Sequence, residues 1–210
     1  MGIKKLLTKE DEKVLLFETL TPHKYLNLLA GANGSGKSTL LDRIKKEEIY
    51  IDKDEEYEVI SYINSENNKR YEEINEKEYT KGIIDKWNAN NLSEGQSIIY
   101  STLEFFEELK RRKKGNYVVL LDEIDSGLSV DNINMLCHLI TDLIVERKDM
   151  QFFIAINNYH WVHVFKRVIN MYNGQQRDIN SYTEYWDFIR EKMGWLLEKR
   201  ECNMFRGMLS

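Results

Sequence analysis

Apolar residues along the chain fall into two alternating rhythms. Short continuous apolar runs occur at Tyr25–Ala30, Glu58–Ile63, Tyr117–Leu121 and Gln151–Ile156, each of strand length. Between them, apolar residues recur at helical spacing. Leu40, Leu41 and Ile44 form one stripe, Ile98, Ile99, Leu103, Phe106 and Leu109 a second, and Ile133, Leu136, Cys137, Ile140 and Leu143 a third. The run at Tyr117–Leu121 has no polar alternation, so it predicts a central, parallel strand covered on both faces. Strands alternating with helices predict an α/β chain with a mostly parallel sheet.

Shorter signals complete the pattern. Val14–Phe17 predicts a short strand ahead of the turn at Thr21-Pro22, giving a small antiparallel β part near the N-terminus. Ile49–Ile51 and an acidic turn at Asp52–Glu56 follow the first helix. Residues 64–91 are rich in Asn, Lys and Glu, and Tyr79, Ile83, Ile84 and Trp87 sit near helical spacing. They predict a short helical subdomain, extending to about residue 112 with the helix that follows. Ser93 is placed to cap that helix. Its other end is marked by five basic residues, Lys110–Lys114, and by Gly115. Asn173-Gly174 between two polar-apolar runs predicts a hairpin. Tyr182, Tyr185, Trp186, Ile189, Met193 and Leu196 predict a closing helix whose aromatic stripe reads as core. With no repeat and no linker, residues 1–210 read as a single domain.

Composition narrows the class. Apolar content of 42% suits a folded domain. The net charge of −5 argues against a wholly basic nucleic-acid binder but leaves room for a local basic patch. Cys137 and Cys202 lack metal or redox spacing and read as free thiols of a reducing compartment. No apolar run approaches a membrane span, and the N-terminus lacks the apolar core of a signal peptide. The expected location is cytoplasmic.

The candidate chemistry begins at Gly31-Ala32-Asn33-Gly34-Ser35-Gly36-Lys37-Ser38. Two glycines with four residues between them, then Lys and Ser, form a phosphate-binding loop. The loop stands between an expected strand and an expected helix, so amide N–H groups and a helix N-terminus converge on an anion. A glycine-rich surface loop without function is the bland alternative, and the full pattern in this context weighs against it. Gly31, Asn33, Gly34, Ser35, Gly36, Lys37, Ser38 and Thr39 are therefore expected to hold a nucleotide. Lys37 would reach the outer phosphates and Ser38 would bind Mg²⁺. Asp122-Glu123 ends the all-apolar strand. Asp122 is expected to hold the metal through water, and Glu123 to take a proton from the attacking water. A solvated acidic turn is the alternative.

Leu92-Ser93-Glu94-Gly95-Gln96 resembles the Leu-Ser-Gly-Gly-Gln signature of ATP-binding-cassette (ABC) ATPases. Phosphate loop, signature, acidic strand end, then Asp125-Ser126-Gly127-Leu128 and a strand ending in polar residues follow the order of that family over about residues 12–160. The resemblance implies a P-loop NTPase fold, Mg²⁺ and ATP as cofactors, and a head-to-tail homodimer formed on ATP. Ser93, Gly95 and Gln96 would then contact the γ-phosphate of the other subunit. Asp125 and Ser126 would lie in the loop that touches the partner. The sequence departs from the family at four points. Glu94 replaces a glycine. Ser129 stands where many transporter ATPases have Asp. Asn157 or Asn158 occupies the place of the switch histidine, with His160 slightly later. Asn64 follows the strand where a metal-binding glutamine is usual. Asn cannot carry a proton, so slow turnover is expected, with Asn158 as the site residue and Asn64 as a metal contact. Phe17 could stack on adenine, though it reads more readily as core.

The spacing separates branches of the family. Only 56 positions separate Ser93 from Lys37, and 28 residues lie between Asn64 and Ser93. At 1.5 Å per residue those 28 allow a helix of at most about 40 Å and no coiled-coil arm. Asp122-Glu123-Ile124-Asp125 is similar to the SMC and RecF-like heads, where Asp-Glu-x-Asp is common. The resemblance points to a minimal soluble head of the kind found in phage and mobile-element genomes. Its work would be in nucleic-acid maintenance, recombination or defence, with nucleic acid or a nuclease-type protein as partner. Lys110–Lys114 would be a phosphate patch, against the alternative of a solvated helix end. The other functions left open are the ATP-binding subunit of an ABC transporter and a slow ATP-gated clamp on a partner protein.

Overall fold

The computed structural model describes residue 20 and residues 22–46, 56–63 and 94–190, with the side chains of 94–97 excepted. The apolar runs become strands. β1 is Leu26–Ala30, β2 Glu58–Ile63, β3 Tyr117–Asp122 and β4 Met150–Ala155. Arg167–Asn170 and Gln176–Asp178 add β5 and β6. One sheet holds all six in the order β2-β3-β4-β1-β5-β6. Every pairing from β2 to β5 is parallel, and only β5 and β6 run antiparallel. That pair is the hairpin signalled by Asn173-Gly174. The N-terminal antiparallel part expected at Val14–Phe17 lies outside the described residues, as do Ile49–Ile51 and the subdomain of 64–91.

β3 and β4 are buried at every position because helices cover both faces of the sheet. Alternate residues feed two cores. Val118, Leu120, Phe153 and Ala155 face α1 (Lys37–Lys45), through Leu40, Leu41 and Ile44. Val119, Leu121, Phe152 and Ile154 face the opposite layer. That layer contains α2 (Glu94–Arg111), α3 (Val130–Glu146), α4 (Tyr159–Phe165) and α5 (residues 182–190). Phe106, Leu109, Ile133, Leu136, Ile140, Leu143, Trp161 and Phe188 are its buried anchors. Burying a side chain of this size contributes about 1.5–3 kcal/mol, so these rows dominate the stability of both layers.

Helix ends are fixed by specific groups. Ser129 Oγ accepts from the Asn132 N–H at 3.3 Å and caps α3, a role Ser fills as well as Asp. α2 ends at Arg111 with Lys110 and Arg111 in its last turn, as the basic run predicts. Its last carbonyls are held from outside by the buried Arg147, which donates to the carbonyls of Leu109, Lys110, Arg112 and Lys113 and pairs with Asp149 at 2.8 Å. At the other side of α2, Tyr62 of β2 lies 3.3 Å from Thr102 Oγ1, a buried polar tie between sheet and helix.

Candidate nucleotide site

Because β1 to β4 are parallel, their C-terminal ends share one edge of the sheet. Ala30, Ala155 and Asp122 all stand there, with β4 between β1 and β3. The acidic strand is thus one strand removed from the glycine loop, rather than beside it. Open parallel sheets place ligand sites at this edge.

Sequence dictates the loop's shape. A Cβ on Gly31 would stand 2.5 Å from Ser35 Oγ, so only glycine fits where the loop folds over itself. Gly36 adopts φ 92°, a left-handed conformation that favours glycine, and enters α1 without a side-chain cap. The first amide donors of α1 therefore lack the usual capping oxygen and suit an anion. Ser35 is buried, and its Oγ has no hydrogen-bond partner among the described residues. Lys37 is 7% exposed, with Nζ donating to the Gly31 carbonyl at 2.7 Å. Burial lowers its ammonium below the ordinary 10.5, and the Asp125 and Asp122 carboxylates act against that shift. Asn33, Gly34 and Ser38 are exposed, and Thr39 is half-buried in α1.

The strand end meets the loop through side chains. Asp122 is 8% exposed, and the Ser38 hydroxyl lies close enough to act on its carboxyl. Burial is the main cause that raises its carboxyl above the usual range, and neighbouring Glu123 adds to it. The Ser38 hydroxyl and the charge of Lys37 oppose the rise. Glu123 is exposed at a backbone φ of 56°, uncommon for a residue with a side chain, and its N–H donates to Asp122 Oδ1 at 3.1 Å. An exposed hydroxyl beside a buried carboxylate, next to a phosphate loop, is a donor set for Mg²⁺, which keeps waters and takes few protein ligands. No cluster of three or more His, Cys, Asp or Glu with metal-binding geometry occurs among the described residues.

The loop after β4 departs from expectation in two ways. Asn158 Oδ1 accepts from the His160 N–H at 2.8 Å and caps α4, so that oxygen is committed to the helix. Asn157 is the exposed one of the two asparagines. His160 lies with Nε2 3.2 Å from Asn134 of α3. Within the loop expected to touch a partner, Asp125 turns its side chain inward. It is 6% exposed, and Oδ2 accepts from the Asn157 and Asn158 N–H groups and from Trp161 Nε1. A carboxylate drawn inward by three donors is not a surface contact, whereas Ser126 is exposed. Ser93 and Asn64 lie outside the described residues. Gly95 and Gln96 are in the first turn of α2. The neighbouring Ile98 packs toward Gly127, where a Cβ would lie 3.6 Å from Ile98 Cδ1, so α2 begins above the turn that follows Glu123.

One contact had no sequence signal. Tyr172, in the β5–β6 hairpin, accepts from the Ala32 N–H at 3.2 Å. Beside it, Met171 N–H donates to the Ala30 carbonyl at 3.2 Å. The hairpin thereby supports the back of the glycine loop. An Asn-Gly turn announces a hairpin but not which strand it folds against.

Comparison with solved structures agrees with this arrangement. The chain superposes on a dimeric post-hydrolysis state of the ATP-binding cassette MJ0796 bound to ADP and Pi, with TM-score 0.51 and 14% identity. That match covers 87% of this chain and 100% of the other. It also superposes on the ADP conformation of MJ1267, an ATP-binding cassette of an ABC transporter, with TM-score 0.53 and 13% identity over 89% of this chain and 93% of the other. No family model and no curated protein matches the sequence. The chain has the fold of the ATP-binding cassettes, an ABC-type P-loop NTPase fold.

Proposed function

We propose that this protein binds ATP with Mg²⁺ and hydrolyses it, and that ATP drives two copies together head to tail. The observation that carries the proposal is the contact between Ser38 and Asp122, with Lys37 buried beside them. It joins the glycine loop and the acidic strand end into one centre. In this proposal the loop amides and Lys37 hold the β- and γ-phosphates. Ser38 and Asp122 hold Mg²⁺, which neutralises charge on the phosphates. Glu123 accepts the proton of the attacking water. Asn157 stands at the switch position, nearer to the task than Asn158, whose side-chain oxygen caps α4. Ser93, Gly95 and Gln96 meet the other subunit's γ-phosphate, and Asn64 assists at the metal. Asn157 cannot carry a proton, so turnover is slow.

MJ0796 is dimeric in the matched structure, which supports the two-subunit reading. No helix among the described residues is long and apolar enough to cross a membrane. The compact SMC- or RecF-like assignment rests on the short interval before the signature and on Asp122-Glu123-Ile124-Asp125. A nucleic-acid role receives less support from the basic run. Lys110 pairs with Glu107, and Arg112 pairs with Glu58 and Glu108. These contacts favour a solvated helix end.

The test is calorimetry of Lys37→Ala with ATP and Mg²⁺. The substitution removes the cation facing the phosphates and should abolish measurable binding while the fold persists. Unchanged affinity would contradict the loop assignment.

A further inference from the structure

We propose that Asp125 is a positioning residue that locks the loop after β4, and with it Asn157, to the turn carrying Glu123. The inference rests on the ATPase reading and names a residue that sets its geometry.

Asp125 lies two residues after Glu123, in a turn closed by Ser126 N–H on the Glu123 carbonyl at 3.0 Å and Leu128 N–H on the Asp125 carbonyl at 3.3 Å. Its carboxylate points away from solvent, and one oxygen gathers three donors. Asn157 N–H lies at 3.0 Å, Asn158 N–H at 2.9 Å and Trp161 Nε1 at 3.1 Å. The two backbone donors belong to the first residues after the chain leaves the sheet at Ile156. Asp125 therefore satisfies donors of a departing loop. The indole belongs to a fully buried residue of α4. Three segments are thus fastened to one atom: the acid turn, the loop after β4 and the first turn of α4.

The strand order gives this clamp its consequence. β4 lies between the strand ending at Asp122 and the strand that feeds the glycine loop. The loop after β4 therefore emerges between the two halves of the site. Whatever Asn157 contacts is held in register with Glu123 by Asp125. The second oxygen, Oδ1, is buried without a hydrogen-bond partner among the described residues. A buried acid satisfied on one oxygen alone is an expensive way to stabilise a fold, and such a group calls for a functional explanation. The arrangement also predicts which substitution preserves it. Asn keeps one carbonyl oxygen for the three donors. Its amide would stand where Oδ1 meets no donor.

The experiment compares Asp125→Ala and Asp125→Asn with the unsubstituted protein. It measures hydrogen exchange at the Trp161 indole by ¹H–¹⁵N spectroscopy, ATP affinity by calorimetry and kcat by phosphate release. The indole signal is assigned with Trp161→Phe. Asp125→Ala should speed indole exchange and lower kcat by about tenfold or more, with ATP affinity within about twofold, as expected for misplacement near the reacting atoms. Asp125→Asn should restore slow exchange and bring kcat back to within about threefold. Loss of kcat in step with ATP affinity and melting temperature, without rescue by Asn, would reduce Asp125 to a structural residue and overturn the proposal. Unchanged kcat in a folded Asp125→Ala would overturn it as well. If Asp125→Ala does not fold, Trp161→Phe decides. Removing one of three donors should lower kcat with unchanged affinity, and an unaltered kcat would contradict the clamp. Should the unsubstituted protein itself neither bind nor hydrolyse ATP, the ATPase reading fails on that result. Indole exchange then judges the clamp alone, and equal exchange in Asp125→Ala overturns it.

Discussion

At the scale of single residues, the site is defined by charges held where water is scarce. Lys37 is buried before any phosphate arrives, and its ammonium is lowered because burial outweighs its acidic neighbours. A bound phosphate supplies the missing countercharge and should return the ammonium toward 10.5 or above. Its pKa is then higher in the complex than in the free protein. Between those two values the complex carries more protons, so ATP binding takes up a proton and weakens as pH rises through the window. Calorimetry in alkaline buffers of different ionisation enthalpy should read this uptake. Binding without a buffer-dependent heat at alkaline pH would place the phosphates elsewhere. Asp122 behaves in the opposite sense. Its raised carboxyl binds protons at a pH where an ordinary Asp is already ionised, so protons compete with a cation there at higher pH than at an ordinary Asp.

At the scale of elements, what could be seen in the sequence was what burial writes into it. Tyr117–Leu121 and Gln151–Ile156 announce themselves because strands covered on both faces have no polar positions. The glycine loop was legible because its spacing is a steric requirement, as the contact at Gly31 shows. Other features left no local mark. Arg147 follows a helix in a polar turn and reads as a solvated cation, yet it is buried against the end of α2. Only the fold brings residues 109–113 to it. The motif marks Asp125 but not its inward bonds, because its partners lie more than 30 positions away. The order β3-β4-β1 cannot be read from apolar runs that are alike.

Arg147 carries an element-scale prediction. Arg147→Ala removes the guanidinium that donates to Asp149 and to four carbonyls at the end of α2, though Asp149 keeps the Gly115 N–H and the Lys113 carbonyl keeps the Tyr117 hydroxyl. The loss should be about 3–5 kcal/mol by urea denaturation, as for a broken buried pair. Little loss would mean that α2 is held by its apolar face alone. The pair also sets an acid limit. The Arg147 guanidinium holds Asp149 down at about 2, below the ordinary 3.8. A lowered carboxyl contributes stability that is complete above the ordinary value and is lost as pH falls through about 2. Arg147→Ala should flatten that part of the acid unfolding curve.

At the scale of the whole molecule, the proposed head-to-tail dimer has each subunit present half of two sites. The glycine loop sits at the C-terminal edge of the sheet, and Gly95 and Gln96 begin a separate helix. ATP with Mg²⁺ should convert Glu123→Gln from monomer to two-fold dimer in sedimentation velocity. Adding Ser93→Arg should block that dimer without loss of ATP binding, since a bulky cation fills the γ-phosphate contact. A monomer at every ATP concentration would mean that the signature is not used between subunits, and the nucleotide site would stand without it.

The central claim is that the loop after β1 and the acids ending β3 form one ATP-hydrolysing centre. Phosphate release from ATP-Mg²⁺ by Glu123→Gln tests it most directly, because the substitution keeps the shape of the side chain and removes the base. Release should be slow from the unsubstituted protein and absent above background from Glu123→Gln, which stays loaded with ATP. Release by Glu123→Gln at the unsubstituted rate would contradict it.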